Sequence, residues 1–161
     1  MICPHVVPFD FPAILPILKK MDIVNAHIVE YLLNVTPDRD DTLADMEQYA
    51  LARNFPVVGP LVGRVLYQFA KISRAERVLE LGSGFGYSAY WFAKALGKDG
   101  RVICTDGNPD NAEHAQAYFH RGKIANKVTF LVGDALKPTS TSTSIPGLSG
   151  RPCPASEKAD S

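Results

Sequence analysis

A chain of 161 residues with 17 basic and 17 acidic side chains has room for one domain and carries no net charge. That excludes two full domains and a binder that holds nucleic acid by bulk positive charge. Apolar residues make up 46% and charged residues 21%, enough apolar surface for a core, so disorder along the whole length is excluded too.

The three cysteines, Cys3, Cys104 and Cys153, are odd in number and widely spaced. They offer no disulfide framework and no metal-finger spacing, which fits a reducing compartment. The apolar stretch from Ile2 to Leu18 is broken by Pro4, Pro8, Pro12 and Pro16 and contains His5 and Asp10. Prolines at this spacing stop a helix, and no basic residue precedes the run as a signal peptide requires. The expectation is a soluble cytoplasmic protein, with no membrane span and no nucleic-acid partner, whose residues 1–21 form a poorly ordered Pro-rich leader.

Residues 22–136 carry the periodic pattern. Asp22 is placed to cap a helix reaching about Asn34, with Val24, Ile28 and Tyr31 or Leu32 on one face. Thr42-Leu43-Ala44-Asp45 has capping-box spacing, and Leu43, Met46 and Ala50 form the stripe of a second helix. Asn54-Phe55-Pro56 stops it. Gly59-Pro60 opens a third helix, on which Leu61, Val65, Phe69 and Ile72 recur at the helical period.

From Arg77 the pattern changes. Strands are predicted at Arg77–Leu81, Arg101–Thr105 and Lys127–Val132, with helices from Tyr87 to about Leu96 and from Pro109 to about Arg121 between them. Strands alternating with helices of this length give a right-handed βαβαβ unit, half of a Rossmann-like doubly wound parallel sheet in the α/β class. Residues 137–161 are rich in Ser, Thr, Pro and Gly and are expected to be a disordered tail.

The chemistry is concentrated in Glu80-Leu81-Gly82-Ser83-Gly84-Phe85-Gly86, between the first strand and its helix. Glycines there let the backbone turn sharply and let a ligand approach without a Cβ in the way. The following helix N-terminus suits an anionic group. Asp106 ends the second strand, where an acidic side chain can accept hydrogen bonds from a ribose, and Asp134-Ala135 end the third on the same rim.

A dinucleotide fingerprint spaces its glycines G-x-G-x-x-G, whereas Gly82, Gly84 and Gly86 run G-x-G-x-G. Glu80 would repel a pyrophosphate and would suit a cationic ligand such as S-adenosylmethionine, which has an ammonium, a sulfonium, a carboxylate and a ribose. A nicotinamide cofactor stays open as the competing ligand.

Plainer readings exist for each residue. Gly84 and Gly86 can serve the turn alone, Glu80 can pair with Arg77 or Arg101, and Ser88 can be an ordinary helix-start residue. Tyr87, Tyr90 and Trp91 read as packing residues. His27, His114 and His120 read as helix-surface residues, and Cys104 as a small buried hydrophobe.

The run Val78-Leu79-Glu80-Leu81-Gly82-Ser83-Gly84-Phe85-Gly86-Tyr87-Ser88-Ala89 resembles motif I of class I methyltransferases, and more narrowly the O-methyltransferases of the catechol and caffeoyl-CoA type. Phe55 to Pro60, Asp106, Lys127-Val128-Thr129 and Gly133-Asp134-Ala135 extend the resemblance over residues 22–136. It implies methyl transfer from S-adenosylmethionine to a hydroxyl of a small, catechol-like acceptor. Gly82 and Ser83 would line the methionine portion with Glu80 behind them, and Ser88 would meet the carboxylate. Asp106 would hold the ribose, Asp134 and Ala135 would border the adenine, and Val58 would touch the cofactor. Homodimers are common in the family.

After Leu136 the resemblance ends. Such enzymes continue with a fourth strand ending in an aspartate. Their divalent metal, magnesium or similar, is held by carboxylates and an amide from that later region, near a lysine general base. No residue of this chain takes over those roles, so the metal ligands and the catalytic residues stay unassigned. The expectation is a truncated, alternatively spliced or frame-shifted product with an unpaired edge at Val78–Leu81. A noncatalytic fragment that binds cofactor or a partner is the alternative to an enzyme.

Overall fold

A computed structural model describes residues 25–134. The leader (1–21), Asp22, Ala135 and the tail (137–161) lie outside the described residues. Within them the chain forms α1 (Ala26–Val35), α2 (Asp41–Ala52), α3 (Gly59–Ile72), β1 (Arg77–Leu81), α4 (Tyr87–Ala95), β2 (Arg101–Asp106), α5 (Pro109–Arg121) and β3 (Val128–Val132). A 3₁₀ turn at Ala125–Lys127 takes Lys127 out of the third strand. None of these helices is long and apolar enough to cross a membrane.

The helix starts correct two expectations. The described part of α1 is capped by Asn25, whose side chain accepts from the His27 N–H at 2.9 Å. For α2 the cap is Asp40, accepting from the Leu43 N–H at 3.0 Å, and Thr42 and Asp45 lie inside the helix. Asp40 outcompetes the Thr42 box because its carboxylate also meets the Lys94 ammonium at 2.9 Å and the Tyr90 hydroxyl at 3.1 Å. Asp45 instead pairs with Arg121 at 2.6 Å. Leu43, Met46 and Ala50 are buried, as their spacing predicts.

The sheet is parallel with order β1-β2-β3. Two right-handed crossovers along one direction put α4 and α5 on the same face, where both pack on β2 and α5 reaches β3. Val102 and Cys104 are buried beneath them. The register places Val78, Val102 and Val128 in one row, and Glu80, Cys104 and Phe130 in the next row on that face.

The opposite face carries Leu79-Ile103-Thr129 and Leu81-Thr105-Leu131. Leu79 is 65% and Leu81 58% exposed, and among the described residues β1 pairs with β2 alone. A parallel sheet is ordinarily covered on both faces.

Helix α3 packs through its small residues. Its stripe stays outside the core, with Phe69 66% and Ile72 79% exposed, whereas Gly63 and Ala70 are the buried positions. The reason is close approach to α4: a Cβ at Gly63 would lie 2.2 Å from the Trp91 indole nitrogen. Small residues let the two helices meet, and the bulky ones point elsewhere.

A polar wall fixes the other side of α4. The Tyr87 hydroxyl donates to Glu47 at 2.7 Å, and Arg39 donates to the same carboxylate at 2.6 Å. Lys127 donates to the carbonyls of Leu96 at 2.9 Å and Ala93 at 3.2 Å, closing the end of the helix. Tyr87, Tyr90 and Trp91 are buried packing residues, as expected.

The two candidate caps of α2 make a test. Asp40→Ala should cost about 1–2 kcal/mol, the scale of a lost N-cap, and Asp45→Ala, in an exposed pair, within about 0.5 kcal/mol. Burial raises the Asp40 pKa, but the Leu43 N–H, Lys94 and Tyr90 outweigh it and hold the carboxyl below its ordinary value. The Asp40 contribution is therefore present at neutral pH and is lost as pH falls through that lowered value. Urea unfolding of both variants at neutral and acidic pH measures the difference.

Candidate functional site

The glycine turn is built on the end of β2. The N–H groups of Gly82 and Ser83 both donate to the Thr105 carbonyl, at 3.0 and 2.8 Å, and the Gly86 N–H donates to the Ser83 carbonyl at 3.1 Å. Gly82, Gly84 and Gly86 all have positive φ, at 76°, 55° and 87°, a region that costs side-chain-bearing residues. At Gly86 space is short as well, since a Cβ would lie 2.5 Å from Cζ of Phe119. Both plain and functional demands on these glycines are thus met by one geometry.

The turn forms one wall of a crevice of about 270 Å³ lined by Gly82, Ser83, Gly84, Ser88, Asp106 and, from the α2–α3 connection, Val58. These six predicted residues come together. Glu80 sits one layer behind them. Its carboxylate accepts from the Ser83 hydroxyl at 2.6 Å and bonds the Ser88 hydroxyl, and it pairs with neither Arg77 nor Arg101, the latter donating to the Gly100 carbonyl. Burial is the dominant influence and raises the Glu80 pKa above the ordinary glutamate value, against the two serine bonds. Asp134 is exposed just past β3 and does not line the crevice.

Asp106 holds the site together. One carboxylate oxygen accepts from the Gly84 N–H at 2.9 Å. The other accepts from the Asn108 N–H at 2.9 Å and the Asn111 amide at 3.0 Å. Burial opposes ionisation, but the bonds from Asn108, Asn111 and Gly84 prevail and keep the carboxyl below its usual pKa.

Neighbouring Cys104 is pushed up to about 12 by burial, so it stays a thiol. His27, His114 and His120 do not line the crevice; His114 packs on Tyr49 with ring centroids 4.9 Å apart.

Sequence reasoning missed Asn111 and Phe55. Asn111 was legible only as an amide in the first turns of the helix after Asp106. Phe55, part of the helix stop and of the Phe55–Pro60 stretch of the resemblance but assigned no role there, lines the crevice with Pro56 and Val57. Its ring would lie 2.9 Å from a Cβ at Gly84 and stands edge-on to Phe85 at 5.1 Å.

The electrostatics of this arrangement are one-sided. Asp106 lines the crevice and Glu80 lies behind it, while no Lys, Arg or His contributes to the lining among the described residues. Gly86 caps α4 without a side-chain acceptor, so the first-turn N–H groups form a small positive pole next to two carboxylates. Such a site suits a ligand with separated positive and negative ends and a diol. No three His, Cys, Asp or Glu side chains converge as a metal site among the described residues. Among the described residues the donor set does not fit a divalent ion.

Comparisons with known proteins point to one family. Residues 38–143 match the family model described as O-methyltransferase. A catechol O-methyltransferase of Niastella koreensis is 32% identical over 108 residues, which cover 66% of this chain and 49% of that protein. The chain thus spans about half the length of this curated relative.

Among solved structures, a methyltransferase from Geobacter sulfurreducens superposes with a TM-score of 0.65 at 38% identity, covering 69% of this chain and 58% of that one. An O-methyltransferase from Bacillus cereus in complex with SAH gives 0.63 at 30% identity, covering 68% and 51%.

The positive-φ glycines separate strain from crowding. Gly82→Ala meets nothing within 4 Å and should cost about 1–2 kcal/mol from its backbone conformation alone. Gly86→Ala adds the collision with buried Phe119 and should cost about 2–5 kcal/mol. Denaturant midpoints of the two variants give the comparison.

Proposed function

The chain belongs to the O-methyltransferase family, and from that premise we propose that its crevice binds S-adenosylmethionine. The observation that carries the reading is the Asp106 carboxylate in the crevice, with Glu80 one layer behind it and no cationic side chain in the described lining. A dinucleotide would bring a pyrophosphate to that negative field. S-adenosylmethionine brings an ammonium and a sulfonium instead.

In this reading Gly82 and Ser83 border the methionine portion, and Glu80 faces the ammonium through the serine layer. Ser88 and the free N–H groups of α4 meet the carboxylate. Asp106, ionised and already oriented by Asn108 and Asn111, accepts from the ribose diol. Val58 touches the cofactor from the α2–α3 connection, and the adenine extends past the described lining toward the end of β3, where Asp134 and Ala135 border it.

The reaction of the whole protein is then transfer of the sulfonium methyl to the hydroxyl oxygen of a small acceptor. The carbon–sulfur bond breaks with its electron pair going to sulfur, the oxygen–carbon bond forms in line, and the hydroxyl proton leaves. The contribution of these residues is binding and orientation, which suffices for a large part of such a rate enhancement. A catechol-like acceptor is favoured by the resemblance to the Niastella enzyme. The β1 edge, which pairs with β2 alone among the described residues, favours a second reading, in which the chain holds the cofactor without turning it over. Incubation with labelled S-adenosylmethionine, a catechol and magnesium decides between them, since methyl transfer by the purified chain would eliminate the second.

Asp106→Ala should weaken S-adenosylhomocysteine binding by about 1.5–3 kcal/mol, the scale of charge-assisted hydrogen bonds. Because burial raises the Glu80 pKa, its carboxylate is lost earlier on acidification than an ordinary glutamate. Affinity should therefore fall as pH drops through that raised value, and Glu80→Gln should bind weakly with a flattened pH profile. Calorimetry across neutral to mildly acidic pH tests both; unchanged affinity in folded Asp106→Ala removes Asp106 from the site.

A further inference from the structure

A second cavity, of about 350 Å³, lies between the α1–α2 connection and helices α2, α3 and α4 and shares no lining residue with the crevice. Its charged lining is Asp38, Arg39, Asp40, Arg64 and Lys94. Two of the three cations are already matched: Arg39 pairs with Glu47 at 2.6 Å, and Lys94 with Asp40 at 2.9 Å. Asp40 is further saturated by the Leu43 N–H and the Tyr90 hydroxyl.

Arg64 is different. Among the described residues no carboxylate lies within ion-pair distance of it. Its Nη2 donates to the Pro37 carbonyl at 3.0 Å, and its Nε is buried with no acceptor. Its guanidinium lies over the Trp91 ring at 5.0 Å and the Tyr67 ring at 5.7 Å, so aromatic faces hold it in place without neutralising it.

The neighbouring indole is buried as well. Trp91 is 3% exposed, and its Nε1 lies beside the Tyr87 hydroxyl without meeting an acceptor in hydrogen-bonding geometry. A guanidinium carries five N–H donors in a planar fork that matches a carboxylate or phosphate. Three cations against two carboxylates leave the lining with a surplus of one positive charge, and Arg64 is the cation without a carboxylate partner among the described residues.

We propose that this cavity is a binding site for a small oxyanion, a carboxylate or phosphate group, gripped by the Arg64 guanidinium against the Trp91 and Tyr67 rings. Arg39 and Lys94 add a positive rim, partly cancelled by their own carboxylate partners. Asp38, on the same rim, opposes the anion and keeps its affinity low. The site is separate from the cofactor crevice and stands or falls independently of the methyltransferase reading.

Trp91 is the chain's one tryptophan, so its indole N–H gives a single resonance from a residue that lines this cavity. The experiment titrates the full 161-residue chain with inorganic phosphate and, separately, with acetate, with ionic strength held constant by sodium chloride. A saturable shift of the indole signal is expected with at least one of them, and which one responds distinguishes phosphate from carboxylate recognition.

Arg64→Gln should weaken the midpoint about tenfold or more, the loss of a charge-assisted contact. Asp38→Asn should tighten it severalfold. The two variants thus move in opposite directions, which a general loss of structure does not produce, and Asp38→Asn carries the test should Arg64→Gln not fold. No saturable shift with either anion, an equal shift with chloride, an unaltered midpoint in folded Arg64→Gln, or no tightening in Asp38→Asn overturns the proposal.

Discussion

The Asp106 carboxylate joins three elements at one point. It ends β2, accepts from the glycine turn after β1 through the Gly84 N–H, and accepts from Asn108 and Asn111 at the start of α5. The Gly133 N–H, leaving β3, donates to its main-chain carbonyl at 2.9 Å. With the Thr105 carbonyl, this residue fixes the glycine turn, because the turn contributes main-chain atoms and main-chain atoms need a partner to hold their direction. The same bonds that locate the carboxylate keep it ionised against the cost of burial. Structure and charge are set by one set of contacts.

That charge is what distinguishes this glycine turn from one that cradles phosphate. A phosphate site collects donors and cations, whereas here the donors of the turn are spent on Thr105 and Asp106. What remains free is the N-terminal pole of α4, bordered by hydroxyls of Ser83 and Ser88 that lead back to the Glu80 carboxylate. The balance favours a ligand with its own positive charge. Glu80 can stay unmatched by Arg77 or Arg101 because it faces the helices, on the covered side of the sheet, in the row with Cys104 and Phe130.

Helix α4 connects the crevice to the rest of the molecule. Tyr87 lines the crevice and bonds Glu47, Tyr90 reaches Asp40, and Trp91 and Lys94 line the second cavity. Its aromatic and polar contacts run to the α2 side while its small residues, Ala89 and Ala93, are fully buried. Coverage is uneven across the sheet. The helix-bearing face is packed, and the face with Leu79 and Leu81 is open among the described residues.

The sequence by itself determined the order and type of the elements, since a period of two or of 3.6 residues is a local property. Five elements from Arg77 onward agree with their expected bounds to within a residue or so. It also determined the glycine turn, because positive φ at Gly82, Gly84 and Gly86 is a demand that few other residues meet. Six residues that line the crevice could be named from the glycine motif and the resemblance it carries.

Tertiary structure decided the rest. The choice of Asp40 over the Thr42 box depended on Lys94 and Tyr90, far along the chain. The buried face of α3 was set by Gly63 against Trp91, a contact between helices and not a stripe within one. Asn111, Phe55 and the unmatched guanidinium of Arg64 became visible only in space. The physical reason is the same each time. A hydrogen-bond partner or a packing gap belongs to two segments at once, and a periodicity read along one segment cannot contain it.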